Sequence, residues 1–281
     1  MIPEPINSTV ARIYAEWEKA QDPARTYLGA SVIGQSCDRA LWYGFRWAYP
    51  AKFEGRILRL FNRGKREEDL VFHELESISV EVHSHDPQTN KQIRFIECDG
   101  HFGGSVDALI RGLPEAPKAW HVLEVKTHCD KSFADLKKNG VEKSKPQHYS
   151  QMQCYMGGLN IKDAAYFAVN KNTDEIYFER IKFCKSDYTA LIQRAKEITF
   201  GNGIPDKLSE SPMYYECKMC SYQGICHLDE PIAKNCRTCR SSEPVADGKW
   251  KCHEHGQMLD EFEPCKDWQS LLNDKPHGTP I

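Results

Sequence analysis

Apolar residues recur every three or four positions in five stretches of the chain, which predicts amphipathic α-helices there. The longest stretch spans 53–78, where the apolar positions fall on one helix face. After Gly201 the periodicity fades and a polar, cysteine-rich tail begins. The other four predicted helices span residues 8–20, 33–47, 147–157 and 186–199.

Between these helices, short apolar or alternating runs predict β-strands. Four runs precede the helix at 147–157, and two follow it around a turn at 170–174. Helices before, within and after a set of strands indicate an α/β fold, with a mixed sheet flanked by helices. The predicted strands span residues 79–83, 92–98, 102–110, 121–126, 164–169 and 175–183.

With 40% hydrophobic and 27% charged residues, the 281-residue chain has the composition of a soluble globular protein. No apolar run reaches the roughly 18 residues of a membrane span, and the N-terminus lacks the pattern of a secretion signal. We therefore expect a cytoplasmic protein without a membrane partner. The net charge of −3 shows no general basic excess, so nucleic-acid binding would depend on local patches.

Twelve cysteines are many for such a chain, and eight of them form two groups. Because no secretion signal is visible, metal ligation explains them better than a disulfide framework. The first group is a Cys-x2-Cys-x5-Cys run with spacing suited to a metal but without a fourth ligand nearby. Cys37, from the other end of the chain, is the candidate for that place. The three cysteines of the run are Cys217, Cys220 and Cys226.

The second group begins with a Cys-x2-Cys knuckle, Cys236 and Cys239, and continues at Cys252. A knuckle followed by distant ligands is typical of a small zinc site. Cys265 is the favoured fourth ligand and His255 the alternative. We expect metal binding, rather than a hydrophobic core, to organise this tail.

Three carboxylates and one lysine lie at positions that otherwise suit apolar residues. Asp107 follows two glycines inside a predicted strand. Glu124 and Lys126 share one face of the next strand, because side chains alternate there. Such groups are costly among valine and leucine unless they are paired or bind something. Glu68 falls on the apolar face of the long helix, where an acid usually has a partner or a metal.

An aspartate, a short loop and Glu-x-Lys on the next strand resemble the PD-(D/E)XK nuclease superfamily. Asp107, Glu124 and Lys126 match this pattern. RecB-type and lambda-exonuclease-like members carry Gly-x-x-x-(Glu/His) on an earlier helix, which Gly64 and Glu68 match. RecB-type members also carry Gln-x-x-x-Tyr on the following helix, and the matching residues are Gln151 and Tyr155.

The resemblance implies a restriction-endonuclease-like core and a metal-dependent DNA exonuclease of recombination, repair or phage DNA processing. Lys126 would orient or deprotonate the attacking water, or stabilise developing charge, and Gln151 would position water or phosphate. Tyr155 is included in this catalytic set. The implied ligands of Mg²⁺ or Mn²⁺ are Glu68, Asp107, Glu124 and the carbonyl of Val125.

The first cysteine group resembles the iron–sulfur nucleases of CRISPR adaptation, which combine one early cysteine with a late Cys-x2-Cys-x5-Cys. Here Cys37 precedes Arg39 and the aromatic pair Trp42 and Tyr43. This implies a [4Fe–4S] cluster, with structural zinc as the alternative. The second group is absent from that pattern and points to phage or prophage exonucleases, with the host cytoplasm as their location. The implied cluster ligands are Cys37, Cys217, Cys220 and Cys226.

Four arginines form a basic ridge beside the face that carries Glu68, either to bind a DNA backbone or as a solvated surface. Four lysines crowd a predicted loop after the Glu-x-Lys strand, and four aromatic residues near Cys37 either stack bases or belong to the core. The three sets are Arg56, Arg59, Arg63 and Arg66; Lys137, Lys138, Lys143 and Lys145; and Trp42, Tyr43, Phe45 and Trp47.

These patterns predict a nuclease core at 1–210, an iron–sulfur closing segment at 211–230 and a zinc-binding tail at 231–281. DNA is the expected partner, with a helicase or recombination protein as a possible second one. The sequence does not determine whether the protein forms an oligomer. Because no Walker-type phosphate loop is present, a helicase would be a separate chain.

Two alternatives to the exonuclease are kept. One is a non-catalytic nucleic-acid or protein adaptor built on a nuclease fold, and the other is a restriction-like endonuclease. The intact set of Asp107, Glu124 and Lys126 favours an enzyme over an adaptor.

Overall fold

The computed structural model describes residues 8–49 and 52–273. None of the helices in these ranges combines the length and apolar character needed to cross a membrane. The α-helices are α1 (Thr9–Lys19), α2 (Asp38–Phe45), α3 (Gly55–Ser77), α4 (Asp130–Ser144), α5 (Pro146–Gly158), α6 (Lys185–Phe200), α7 (Tyr215–Lys218) and α8 (Gln223–His227).

The strands form three separate sheets. They are β1 (Leu28–Gly29), β2 (Glu81–His83), β3 (Arg94–Glu97), β4 (Phe102–Ser105), β5 (Ala108–Leu113), β6 (Ala116–His128), β7 (Asp163–Asn170), β8 (Ile176–Lys182), β9 (Ser242–Pro244), β10 (Trp250–Cys252) and β11 (Gln257–Leu259).

The chain divides into two compact units. Unit 1 comprises the described residues of Met1–Ala24, Ala51–Arg94 and Ser105–Lys185. Unit 2 comprises those of Arg25–Pro50, Phe95–Gly104 and Ser186–Ile281. The functional division at residues 210 and 230 stays a prediction.

Unit 1 is built on a five-stranded sheet in the order β2-β5-β6-β7-β8. Strands β6 and β7 are parallel, and the other neighbours are antiparallel. Every residue of β7 is buried, as expected of an interior strand. Helices α4 and α5 lie between β6 and β7 in the chain, because parallel neighbours need a long crossover. The predicted mixed α/β fold is confirmed.

The core of unit 1 combines one part of α3 with the sheet. Val71 and Leu75 of α3 belong to the same buried cluster as Ile110, Val125 and Phe167. Phe61, which the sequence pattern placed on this apolar face, is 53% exposed. Beyond its first position, the buried residues of α3 are confined to its C-terminal half, and Phe61 lies outside that half.

The predicted strand at 102–110 is two strands in different sheets. Strand β4 pairs with β1 and β3, whereas β5 pairs with β2 and β6. The chain bends at Asp107, which is therefore not in the middle of a strand. A β-carbon on Gly103 would come within 2.5 Å of the Phe95 carbonyl oxygen, so this glycine permits close approach of a neighbouring strand.

The segment predicted as a lysine-rich loop is mostly helical and belongs to α4. Apolar residues inside the segment hold it, since Phe133, Leu136 and Val141 are buried. Gly140 interrupts the helical backbone at a φ of 72°. The prediction of a loop for Lys137, Lys138 and Lys143 was wrong. It considered the lysines and overlooked the apolar residues between them, whose spacing is helical.

Unit 2 contains the short sheets β1-β4-β3 and β11-β10-β9. Helix α2 is shorter than the predicted helix at 33–47, because Cys37 has an extended backbone and its Sγ accepts the N-terminal hydrogen bond from Ala40. Trp42, Tyr43 and Phe45 are buried, so the core interpretation of this aromatic set is correct for them.

Two glycines of α3 allow a matched test of packing in unit 1. A β-carbon on Gly55 would lie 2.2 Å from the Tyr14 carbonyl oxygen, whereas one on Gly64 would meet nothing within 4 Å. We expect Gly55→Ala to destabilise the protein by about 1–3 kcal/mol through overpacking. We expect Gly64→Ala to stabilise it by up to about 1 kcal/mol, because alanine restricts the unfolded chain. Urea unfolding measures both, and equal effects would contradict this packing.

Candidate active site

Four ionisable side chains of unit 1 influence one another electrostatically: Glu68, Asp107, Glu124 and Lys126. Helix α3 carries Glu68, the bend before β5 carries Asp107, and β6 carries the other two. Lys126 Nζ forms an ion pair with Glu124. The structure therefore brings together the acids and the lysine that the sequence singled out.

Asp107 is fixed by a backbone hydrogen bond. The amide nitrogen of Val125 donates to Asp107 Oδ2 at 2.8 Å. Because Val125 lies between Glu124 and Lys126, this bond holds Asp107 against the stretch of β6 that carries both. The role of the Val125 carbonyl as a ligand stays a prediction.

Glu124 is the most constrained member of the cluster. Its side chain has no solvent exposure, and the ammonium of Lys126 is the one donor that contacts its carboxylate among the described residues. Burying a carboxylate with so few partners is costly, even beside Lys126. Three oxygen-bearing acids and one lysine leave the cluster short of positive charge. This donor set fits Mg²⁺ or Mn²⁺, which prefer carboxylate oxygens.

Burial is the main reason why the pKa values of all three acids are raised. For Glu68, burial and the charge of Asp107 raise the pKa to about 7, against the opposing effect of Lys126. Burial likewise raises the pKa values of Glu124 and Asp107. Three carboxyl groups that share one lysine repel one another, which favours the protonated form of each.

Lys126 is a cation rather than a base in this setting. Burial lowers its pKa, but the carboxylates of Glu124 and Asp107 outweigh burial and raise it above its usual value. A protonated ammonium donates hydrogen bonds and stabilises negative charge, whereas removing a proton from water requires the neutral amine. Of the roles predicted for Lys126, the raised pKa favours orienting groups and stabilising charge over deprotonating water.

Gln151 and Tyr155 lie one turn apart on α5, as their spacing predicted. Gln151 Nε2 donates to Tyr155 Oη at 3.0 Å, and both side chains are buried. Helix α5 packs against β6 and β7. Their catalytic role stays a prediction.

Sequence reasoning missed a polar network on the neighbouring strand and helices. Tyr166 of β7 is the register partner of Glu124. Its hydroxyl lies 2.8 Å from both His128 Nε2 and His148 Nδ1. His128 Nδ1 lies 3.1 Å from Ser132 Oγ. One signal was available, because His148 precedes Gln151 by three residues and shares its helix face.

The network is electrically neutral. Burial and nearby lysines lower the pKa of His128 to about 4 and that of His148 to about 3. A tyrosine hydroxyl has one proton, so Tyr166 can donate to at most one of the two imidazoles. The two histidines hold its ring beside the acidic cluster without adding charge.

The predicted basic ridge is exposed on α3. All four arginines have exposed side chains, and Arg63 Nη2 donates to the carbonyl oxygen of Lys171 at 3.4 Å. An exposed ridge on the helix that carries Glu68 suits a phosphate backbone, but DNA binding by Arg56, Arg59, Arg63 and Arg66 stays a prediction.

The first thiol group lies in unit 2. Burial and the thiols of Cys37 and Cys226 raise the pKa values of Cys217 and Cys220, so cysteines far apart in the sequence lie within electrostatic reach of one another. Cys37 Sγ accepts from the Ala40 amide and Cys220 Sγ from the Tyr222 amide, both at 3.4 Å. Hydrogen bonds to sulfur are one means by which a protein tunes an iron–sulfur cluster.

The second thiol group also lies in unit 2. Burial and the thiols of Cys265, Cys239 and Cys252 raise the pKa of Cys236. His255 Nε2 lies 3.4 Å from Cys265 Sγ, so both candidates for the fourth ligand are at the same place. The ligand set stays a prediction.

No family model matches the sequence, and no curated protein matches it. Solved structures show partial similarity. SSO0001 has a TM-score of 0.48 at 13% identity, covering 79% of this chain and 98% of that chain. An alkaline exonuclease, LHK-Exo, from Laribacter hongkongensis has a TM-score of 0.42 at 15% identity, covering 66% and 90%. A phage-related exonuclease from Haemophilus somnus 129PT has 0.38 at 14%, covering 57% and 78%. Because these TM-scores lie below 0.5, the interpretation of the site depends on its own side chains.

The raised pKa values predict how pH affects stability without metal. Between about pH 4 and pH 7 the folded protein holds more protons on these acids than the unfolded chain does. The free energy of unfolding therefore falls as pH rises through this window. In EDTA, the melting temperature should fall as pH rises through this window. We expect this fall to be a few degrees smaller for Glu68→Gln than for wild type, because one titrating carboxyl is gone.

Thermal unfolding at a series of pH values measures this difference. Glu67→Gln is the matched control, since Glu67 lies about 100° away around the same helix. A Glu68→Gln curve that runs parallel to the wild-type curve would contradict the raised pKa of Glu68.

Proposed function

We propose that the protein is a metal-dependent nuclease that hydrolyses phosphodiester bonds of DNA with Glu68, Asp107, Glu124 and Lys126. The observation that carries this proposal is Glu124, a fully buried carboxylate for which Lys126 is the one donor among the described residues. A cluster with excess negative charge and one lysine suits chemistry on an anionic substrate only when a cation joins it.

The three carboxylates, with the Val125 carbonyl, would hold Mg²⁺ or Mn²⁺. When bound, such an ion offsets the charge of the phosphate and lowers the pKa of a water molecule. Asp107 is kept in place by the Val125 amide, so one ligand is oriented before the ion arrives. Lys126 stays protonated beside Glu124 and can donate to a phosphate oxygen as charge develops there.

The finer assignment is an exonuclease of recombination, repair or phage DNA processing. The order of Gly64, Glu68, Asp107, the Glu-x-Lys pair and the Gln-x-x-x-Tyr pair supports it through the resemblance. The exposed arginines of α3 supply a path for the phosphate backbone near Glu68. A helicase or recombination partner and an oligomeric state are further predictions from the same resemblance.

Digestion of end-labelled single- and double-stranded DNA in Mg²⁺, Mn²⁺ or EDTA tests the activity. We expect cleavage with a divalent ion and none in EDTA. Lys126→Ala should lower the rate by at least about 100-fold, because a charge-stabilising donor is lost. Lys118→Ala is the matched control, an exposed lysine on the same strand, and should leave the rate unchanged.

Product lengths separate exonuclease from restriction-like endonuclease action, since an exonuclease shortens the strand from its end. If wild type does not cleave although Mn²⁺ raises its melting temperature, the adaptor alternative is correct. Equal cleavage by wild type and Lys126→Ala would place the activity elsewhere.

We also propose a [4Fe–4S] cluster on Cys37, Cys217, Cys220 and Cys226, with structural zinc as the alternative. The mutual electrostatic influence of these thiols within unit 2 supports metal ligation. Anaerobically purified protein should absorb visible light and contain about four iron atoms per chain. Cys217→Ser should lose both, while Cys129→Ser, which changes an exposed cysteine outside both groups, should keep them. Zinc in place of iron would select the alternative.

A further inference from the structure

Three side chains of unit 2 with metal-binding atoms lie together near its surface. His255 lies in the turn between β10 and β11, while Cys265 and Asp267 lie in the segment that follows β11. Each offers one ligand atom, and these three atoms all lie within 4.8 Å of one another. Nitrogen from histidine, sulfur from cysteine and oxygen from aspartate are the donors from which proteins build zinc sites.

The separations of these atoms match those around a tetrahedral ion. His255 Nε2 lies 3.4 Å from Cys265 Sγ and 3.6 Å from Asp267 Oδ2. Zinc bonds of about 2.3 Å to sulfur and about 2.0–2.2 Å to nitrogen and oxygen, at tetrahedral angles, place ligand atoms about 3.4–3.6 Å apart.

Hydrogen bonding explains the arrangement less well. The separation of 3.6 Å between His255 Nε2 and Asp267 Oδ2 is too long for a hydrogen bond. In addition, Nε2 can carry only one hydrogen, which cannot point at the sulfur and at the oxygen together. A shared cation is therefore the better account of why one nitrogen faces both groups.

Backbone contacts hold the three residues in place before any ion binds. The Trp268 amide donates to the Cys265 carbonyl oxygen at 3.2 Å, which closes a turn around Asp267. Trp268 Nε1 donates to the Asn235 carbonyl oxygen at 2.9 Å and fixes this turn to an earlier part of unit 2. The paired strands β10 and β11 hold the other turn, which carries His255.

Two neighbouring side chains of the same chemistry have other partners. His253 lies in the same turn as His255, and its Nε2 is 2.8 Å from a carboxylate oxygen of Glu243. Cys236 Sγ donates to a backbone carbonyl oxygen at 3.1 Å. Both groups are thus satisfied without a metal, whereas His255 faces two further ligand atoms.

We propose that His255, Cys265 and Asp267 bind one Zn²⁺ ion, and that a water molecule completes its coordination. Binding forms one bond from zinc to each of nitrogen, sulfur and oxygen, and the Cys265 thiol releases its proton to solvent. One thiolate and one carboxylate balance the charge of the ion, so the site needs no counter-ion. Three protein ligands leave the fourth position open.

This ligand set differs from those that the sequence predicted. It uses both residues that were alternatives for a single place, and it adds Asp267, which no cysteine spacing indicates. The ion would join the turn between β10 and β11 to the segment after β11. Because His255 and Cys265 are exposed, the ion can exchange with solution. Zinc binding here is independent of the proposed nuclease activity.

Competition with a chromophoric chelator measures the zinc affinity of the purified full chain. Asp267→Ala should weaken the binding of one zinc ion by more than about 100-fold, because losing a ligand costs more than losing an outer partner. Cys265→Ser and His255→Ala should weaken it as strongly. His253→Ala is the matched control, an exposed histidine of the same turn, and should bind as wild type does.

The pattern across the variants separates the possible ligand sets. Cys236→Ser should keep the affinity of this site. Unchanged zinc affinity in Asp267→Ala together with a loss in Cys236→Ser would assign the ion to the cysteine-rich set and overturn the proposal. Wild type that binds no zinc outside the first thiol group would overturn it as well.

Trypsin tests whether the ion joins the two segments. Lys266 is exposed and lies between two of the ligands in sequence. Zinc should slow cleavage after Lys266 several-fold in wild type, because coordination on both sides of this residue holds the backbone, and should have no effect in Asp267→Ala. Each variant is compared with and without zinc, so the changed residue itself does not affect the result.

Cleavage after Lys171, an exposed residue in the turn between β7 and β8, is the internal control and should not respond to zinc. Cleavage after Lys266 at the same rate with and without zinc in wild type would contradict the site.

Discussion

The burial of Glu124 opposite a single lysine is the constraint on which unit 1 depends. The Glu124 side chain has zero exposure on β6, an interior strand with β5 and β7 on either side and helices α3, α4 and α5 packed against it. The same strand offers the Val125 amide that fixes Asp107, and Tyr166 of β7 stands in register with Glu124. The sheet thus desolvates the acids whose charge a bound cation would offset. The same strand, β6, both buries Glu124 and holds Asp107 in place.

The sequence pattern predicted those features that depend on residues close together in the chain. Helices α3 and α5 were visible because their apolar positions repeat, and the pairing of Gln151 with Tyr155 follows from a single helical turn. The bend at Asp107 was not visible, because apolar residues continue through it and only the choice of partner strands separates β4 from β5. The contacts of Tyr166 with His128 and His148 join residues far apart in sequence, so no spacing rule indicates them.

Unit 2 distributes charge differently from unit 1. In unit 1 the excess charge is negative and belongs to oxygen, which suits a hard, exchangeable cation. In unit 2 the grouped side chains are thiols, the soft donors that zinc and iron–sulfur centres use. The difference between oxygen and sulfur donors matters because each type binds the other's preferred metal ions poorly. A chain with both proposed sites filled would keep a structural metal at its thiols and exchange the ion at its carboxylates.

The interleaving of the two units also determines an order of assembly during synthesis. Every segment of unit 1 has been translated once Lys185 emerges, whereas unit 2 combines residues 25–50 with a tail that is made last. Cys37 and the aromatic residues beside it must therefore wait, exposed to solvent and oxidants, while all later segments of unit 1 are synthesised. A ribosome that pauses before the tail would hold a chain with its sheet complete and its early cysteine unprotected.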